Sequence, residues 1–321
     1  MILQIVAGVV ASYVVFSLVL LFFPGILHKK KQAAFVCQHI SHRGGAGEGP
    51  ENTIAAFEHA VVDCGTDMLE LDCHLSRDGR VVVAHDPHLR RDGQPELAIA
   101  ELDYAQLPPL LTRLPLDFAP GESFDASAFD DRSLPLLSEV FERFPDTPIN
   151  IDIKVNRDEL VAAVGRLVAQ YRRQAITVWG NFSATVTNKC YRQDPSIGLL
   201  CSMPAVVKIV LSAYVGLLPF LPLRETFFEV PMPSILYPMV KGRFAKCMVW
   251  LADKLLMRPF ILNHLRRRGM QVYLWVLNSE AEYRRAFGLG ATGVMTDYPS
   301  LLRHFLRDNP QYAAPGRRLK Q

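Results

Sequence analysis

Strand-like and helix-like runs alternate along most of this chain, and the strand-like runs end on polar side chains. Val36 to Ser41 is a short apolar run, after which Asn52-Thr53 caps an amphipathic stretch from Ile54 to Val62. Strand patterns recur at Asp67 to His74, Val81 to His85, Ile149 to Val155, Ile176 to Trp179, Ile197 to Cys201, Gln271 to Leu277 and Gly293 to Thr296. Helical patterns lie between them at Leu136 to Phe144, Glu159 to Tyr171 and Ser279 to Phe287. Such alternation builds a parallel sheet with helical crossovers. His42, Glu70, Asp72, Asp152, Lys154, Asn278 and Asp297 stand towards the carboxyl ends of these runs. In a closed barrel those ends meet at one mouth, whereas an open doubly wound sheet needs a switch point and a glycine-rich phosphate turn. Gly44-Gly45-Ala46-Gly47 alone is poor support for the open sheet, so the expected fold is α/β, a TIM (β/α)₈ barrel.

At 321 residues and 50% hydrophobic, the chain can bury a core of that size. A net charge of +3 lacks the dense basic stripe of a DNA or RNA binder, so no nucleic acid partner is expected. Basic residues cluster at Lys29 to Lys31, Arg266 to Arg268 and Arg317 to Arg318, a pattern that fits ordinary solvated charge or an anionic membrane surface. The six cysteines contain no CxxC pair and no His/Cys spacing of a zinc site; they read as reduced, buried thiols, with no structural zinc expected. No obligate protein partner is evident.

Ile2 to Phe23 carries no charged residue, and a helix of that length, rising about 1.5 Å per residue, crosses a hydrocarbon core of roughly 30 Å. Without a basic n-region or a small-residue cleavage site, it reads as an uncleaved transmembrane anchor. Lys29, Lys30 and Lys31 follow at once, which by the positive-inside rule puts the following domain in the cytosol. The expected organisation is an anchor over 1–27, a basic linker and start of the first strand over 28–38, a barrel domain over 39–308 and a basic tail over 309–321. A second apolar stretch, Pro204 to Pro222, is broken by Lys208 and prolines, and spanning there would divide the barrel across the bilayer. A membrane-associating insertion over about 202–262 is expected instead.

In Leu69-Glu70-Leu71-Asp72 the two-residue period of a strand puts both carboxylates on one face. Acids on an apolar strand are costly to bury without a cation, and hard divalent ions take such oxygen ligands. Asp152 and Lys154 repeat the alternation on another strand, so a third carboxylate and a fixed cation are available; a satisfied ionic network is the competing reading. Asp78-Gly79 signals a two-residue hairpin turn, which would set Asp72 opposite His85. An unperturbed imidazole titrates near pH 6.5 and suits proton transfer. His42 supplies a second imidazole, and Arg43 a bidentate partner for a phosphoryl oxygen.

At these residues the chain resembles the glycerophosphodiester phosphodiesterase family. The matching motifs are His42-Arg43-Gly44, Pro50-Glu51-Asn52-Thr53, Glu70-Leu71-Asp72, His85-Asp86, Asp152-Ile153-Lys154, Trp275-Val276-Leu277-Asn278 and Thr296-Asp297-Tyr298-Pro299, in family order over roughly residues 39–300. The anchor, the stretch from Cys201 to Pro233 and the segment from Thr292 to Pro299 are most similar to the vertebrate membrane-anchored branch with lysophospholipase D activity. The resemblance implies acid/base roles for His42 and His85, ligation of a divalent metal (Mg²⁺ or Ca²⁺) by Glu70, Asp72 and Asp152, and phosphate contacts from Arg43 and Lys154. Glu51, Trp275 and Asn278 are expected in support. Many relatives carry glutamate where this chain has Asp152, which leaves direct or water-mediated ligation open there.

The expected reaction is hydrolysis of lysophosphatidylcholine or lysophosphatidylethanolamine to lysophosphatidic acid and a free alcohol, at an endoplasmic reticulum or perinuclear membrane. The alternatives are a glycerophosphodiesterase acting on deacylated diesters such as glycerophosphocholine, and a catalytically inactive, membrane-tethered lipid-binding protein.

Overall fold

Eight short runs of alternating in-and-out residues wrap into a barrel in the computed structural model, which describes residues 1–91 and 94–312. The barrel strands are β1 (His39–Ser41), β2 (Met68–Leu75), β3 (Ile149–Ile153), β4 (Thr177–Gly180), β5 (Gly198–Leu199), β6 (Phe227–Pro231), β7 (Gln271–Trp275) and β8 (Gly293–Thr296). They pair in parallel in the order β5-β4-β3-β2-β1-β8-β7-β6. The bridge between Leu200 and Phe227 joins the two ends. That junction rules out the open doubly wound sheet, which would leave both edges unpaired.

The pleat sorts each strand. Leu69, Leu71 and Cys73 of β2, with Ile149 and Ile151 of β3, face outward onto Leu137–Arg143 and Asp158–Gln170. Phe228, Val230, Val272, Leu274 and Val294 do the same against Leu262, Tyr283 and Phe305. Inside the barrel, Ile40, Met68, Val178, Leu200, Phe227, Tyr273 and Met295 pack an apolar lower layer, with Leu200 and Met295 reaching the mouth cavity above it. Each such side chain, fully buried, contributes roughly 1.5–3 kcal/mol. The next inward positions along β2 and β3 are Glu70, Asp72, Asn150 and Asp152, so the interior changes from apolar to acidic towards the mouth.

Three expectations need correcting. Val81–Val83 does pair antiparallel with β2, but Cys73 faces Val83, so Asp72 lies opposite Ala84 and not His85. The cause is the turn: the N–H of Gly79 (φ +78°) donates to the Ser76 carbonyl at 3.0 Å and that of Ser76 to Arg80, making a three-residue loop in place of a two-residue one. Second, the stretch 202–262 is not an insertion throughout, because it contains β6. The strand is only five residues long and is closed by Pro231 and Pro233, which leaves too short a run for its period to show. Third, the basic linker 28–38 is packed structure: Ala33 and Phe35 lie against the lower layer, with Phe35 stacked on Phe227 at 5.8 Å. Arg317 and Arg318 of the expected basic tail lie outside the described residues.

The amino-terminal helix α1 (Ile2–Phe22) is apolar and largely exposed, and it is the one helix among the described residues long and apolar enough to cross a membrane. Its second half is docked on the barrel. Tyr13 Oη donates to the Val215 carbonyl at 2.5 Å, and Ser17 Oγ to that of Gly216 at 2.6 Å. His264 Nδ1 donates to the Leu21 carbonyl at 2.9 Å, and the Arg267 guanidinium lies 5.3 Å from the Phe22 ring centroid. Five of the six cysteines are buried; Cys247 is exposed.

Candidate active site

At the mouth, a cavity of about 400 Å³ is walled by residues from most of the barrel strands. His42, Arg43, Glu70, Asp72, His85, Asp152, Lys154 and Trp275 all line it, so eight of the expected site residues converge. The other two stand one contact behind. Glu51 Oε2 accepts from Arg43 Nη1 at 3.0 Å, and Asn278 holds Asp297.

His42 follows β1 directly, buried beneath the mouth. Its Nδ1 donates to Asp297 Oδ1 at 2.7 Å, while Asp297 Oδ2 accepts from Asn278 Nδ2 at 2.9 Å. Burial would raise the Asp297 carboxyl, but His42 and the Asn278 amide hold it below its usual range, so it stays an anion. That fixes the His42 tautomer and leaves Nε2 as its working nitrogen. His85 is half-buried and lines the same cavity, and its Nδ1 contacts Asp86 Oδ1 at 2.9 Å. Each imidazole thus has a carboxylate behind it.

Arg43 sits in left-handed backbone (φ +50°), which turns its own N–H onto Glu70 Oε2 at 2.9 Å. Its guanidinium meets Glu51, Asp72 at 3.4 Å and Asp117 at 2.9 Å. Lys154 Nζ bridges Asp72 Oδ1 and Asp152 Oδ2; despite burial, those two anions raise it above its usual value. Asp152 Oδ1 also accepts from Asn181 Nδ2 at 2.6 Å. Burial would raise Asp72, yet Arg43 and Lys154 hold its carboxyl well below the ordinary range. Glu70 makes no ion pair among the described residues, and burial, then Asp72, outweigh the Arg43 charge and N–H and push its carboxyl well above the ordinary range.

The three expected ligands therefore share the cavity without gathering at one point. Among the described residues their donor atoms do not form a three-ligand group; Glu48, His59 and Cys64 do, elsewhere. Two residues that the sequence did not single out bear on the donor set. Burial pushes Glu229 of β6 up to about 8, and Asn150 Oδ1 of β3 is buried with no hydrogen-bond partner. Glu70 with its raised pKa, the orphaned amide oxygen and Glu229 make an all-oxygen, over-acidic floor, the kind of site a hard divalent cation satisfies. The donors present fit such an ion, and Glu70 is the expected ligand that the structure leaves without an ion pair among the described residues.

Asp117 and Phe118 were likewise not foreseen. They come from the small hairpin Arg113–Pro115 with Ser123–Asp125, which reaches over the mouth. Phe118 packs edge-on to both His42 (5.8 Å) and Trp275 (5.9 Å), and Phe182 to Trp275 (5.5 Å), so an aromatic rim faces the acidic floor.

Residues 42–301 match the model of the glycerophosphoryl diester phosphodiesterase family. The rat protein named lysophospholipase D GDPD1 is 50% identical over 92% of this chain and 95% of its own length. The human protein named lysophospholipase D GDPD3 is 38% identical over 94% and 95%. In fold, the chain is similar to an Oleispira antarctica phosphodiesterase solved with sn-glycerol-3-phosphate (TM-score 0.62, 20% identity, 86% of this chain and all of that one). It is likewise similar to a Mycobacterium tuberculosis glycerophosphoryl diester phosphodiesterase domain (TM-score 0.67, 17% identity, 84% and 99%). Members of the family are generally dependent on a divalent metal. With its motifs assembled around one mouth and a match over most of its length, this chain belongs to the glycerophosphoryl diester phosphodiesterase family.

Proposed function

We propose that the chain hydrolyses lysophospholipids, lysophosphatidylcholine and lysophosphatidylethanolamine among them, to lysophosphatidic acid and the free head-group alcohol. One observation carries the reading: two imidazoles, each backed by a carboxylate, face one acidic cavity fringed by aromatic side chains. The relatives named lysophospholipase D support the substrate class.

Glu70 and Asp72, with Glu229, Asn150 or Asp152, would hold Mg²⁺ or Ca²⁺. The ion, when bound, neutralises the phosphodiester and stabilises the charge that develops on it. Arg43 and Lys154 orient the phosphoryl oxygens. His42 Nε2 takes the proton of the glycerol hydroxyl next to the phosphate, and His85 gives a proton to the departing choline or ethanolamine oxygen. The new P–O bond closes a cyclic phosphate as the bond to the head group breaks, and water then opens the ring. Asp297 keeps His42 in the accepting tautomer, and the Phe118–Trp275–Phe182 rim excludes bulk water.

The setting is a membrane, with α1 as a single-pass anchor of the endoplasmic reticulum and the barrel in the cytosol. Support comes from the exposed apolar side chains Val207 and Leu211 on Met203–Tyr214 and Phe244 and Trp250 on Arg243–Leu256. These would rest the 202–262 segment on the lipid surface and offer substrate a short path to the mouth.

The test is head-group release by the full-length protein in detergent, using lysophosphatidylcholine, glycerophosphocholine and diacyl phosphatidylcholine. The lysolipid is expected to turn over fastest, and His42→Ala to abolish the reaction. Rapid turnover of the diacyl lipid, which lacks the free hydroxyl, would reject the cyclic route, and a preference for glycerophosphocholine would reject the lipid assignment.

A further inference from the structure

Outside the mouth, one group of donor atoms stands at metal-binding separations. His59 Nε2 lies 3.0 Å from Glu48 Oε2 and 3.4 Å from Cys64 Sγ, and Cys64 Sγ lies 4.0 Å from Glu48 Oε2. A point equidistant from three atoms so spaced is about 2 Å from each, close to the 2.0–2.3 Å of zinc–oxygen, zinc–nitrogen and zinc–sulfur bonds.

Local structure makes the cluster. The helix that begins at Ile54 widens into a π-helical turn over His59–Asp63, so that the Cys64 N–H donates to the His59 carbonyl at 3.0 Å. Widening to five residues per hydrogen bond brings His59 and Cys64 together, where a regular α-helix would splay them; single π turns of this kind recur at functional sites. Asp63 Oδ2 stands 3.0 Å from His59 Nδ1, an outer carboxylate placed as in carboxylate–histidine–metal arrangements. Cys64 is buried and His59 partly open, and a cavity of about 470 Å³ lined by Glu48, His59 and Asp63 adjoins them, with room for a water as fourth ligand.

We propose that Glu48, His59 and Cys64 form a second metal site, selective for a borderline cation of the zinc class and separate from the all-oxygen site at the mouth. On binding, a divalent ion replaces the proton on His59 Nε2 and the Cys64 thiol proton, while His59 keeps its Nδ1 proton and donates it to Asp63. Imidazole and thiolate ligands exclude Mg²⁺ and Ca²⁺ from the site. The ion acts as a clamp. Glu48 also accepts from Ser300 N and Oγ at the start of Pro299–Asp308, and the neighbouring Gly47 N–H donates to the Asp297 carbonyl at 2.9 Å. Zinc would thus pin the loop after His42 and Arg43 to the π-helical turn, and the hydrogen bonds of Glu48 and Gly47 carry that anchorage to the segment that bears the carboxylate behind His42.

The experiment is Zn²⁺ content and Co²⁺ absorption of the full-length protein in detergent, with excess Mg²⁺ present. Expected are about one Zn²⁺ per chain, and on Co²⁺ substitution a thiolate-to-cobalt charge-transfer band with strong tetrahedral visible bands. Cys64→Ser should remove the charge-transfer band, His59→Ala should lower Zn²⁺ content at least tenfold, and Cys247→Ser, at the exposed cysteine, should change neither. If either core variant fails to fold, the wild-type spectrum still decides. Its charge-transfer band supports the site, and its absence in protein that cleaves lysolipid overturns this proposal while leaving the catalytic reading standing. Zn²⁺ displaced by Mg²⁺, or a band lost in Cys247→Ser, overturns it as well.

Discussion

Lys154 Nζ stands between two carboxylates, 3.2 Å from Asp72 and 3.0 Å from Asp152, and so separates residues that the sequence groups as ligands of one ion. Paired register is the origin: Asp72 and Asp152 are direct neighbours on β2 and β3, and the side chain two residues beyond Asp152 folds back between them. Asp152 is thereby balanced by Lys154 and Asn181, while Glu70 is left without a cationic side chain of its own.

This difference predicts unequal ligand variants. Glu70→Gln should lower kcat by about 10²–10³-fold, as loss of a principal electrostatic group does. Asp152→Asn should cost about 10- to 100-fold, the scale of an outer-shell partner. Steady-state rates at saturating Mg²⁺ and Ca²⁺ check both, and equal losses would return Asp152 to the ion's inner shell.

Asp297→Asn should leave the fold intact and cut kcat by about 10²–10⁴-fold, because an amide in that position can donate to Nδ1 and turn the His42 ring to the wrong tautomer. The readout that separates this from simple loosening is the Nδ1 proton resonance of His42, expected to vanish in the variant while KM changes little.

His264 supplies a pH dependence far from the mouth. Burial, then the nearby Arg268, His28 and Arg267, depress it from 6.5 to about 4 even though it donates to the Leu21 carbonyl. The folded chain therefore keeps this imidazole neutral where the unfolded chain protonates it. The contribution of His264 to stability is flat above about pH 6.5 and falls as pH drops from there towards 4. Thermal unfolding in detergent between pH 7 and 4.5 isolates it as a difference: the stability of wild type relative to His264→Asn should fall towards acid pH and stay constant above about 6.5.

Gly269 has φ +82°, and a Cβ there would meet the Lys31 carbonyl oxygen at 2.1 Å. Gly269→Ala should destabilise by about 2–4 kcal/mol, combining left-handed strain with that clash. Gly65→Ala, at φ +63° with open space around it, should cost only about 1 kcal/mol. Melting temperatures of the two variants measure the difference.

The barrel and most of its mouth are legible in the sequence because each strand repeats every two residues and ends in a chemically distinctive side chain. β6 is not, since Phe227–Pro231 is only five residues long, is closed by Pro231 and Pro233, and lies within the segment read as an insertion, and Glu229 is hidden with it. Asp117 and Phe118 carry no local signal; only the hairpin's path over the mouth gives them a role. The Asp78-Gly79 signal located the turn but not its length, which misplaced the partner of Asp72 by one residue. Asp297 is visible as a polar strand end, yet its bond to His42 spans most of the chain and no spacing reveals it.

Phe35 under Phe227, with the Lys31 N–H donating to the Arg268 carbonyl, makes the segment leading out of α1 the stopper of the barrel's lower end. The segment therefore acts as a plug. Trimming the chain to start at His39 would uncork the apolar layer and admit water beneath the acids, whereas a fragment starting before Lys31 keeps the seal. The path of the chain out of α1 and the closure of the barrel are one device.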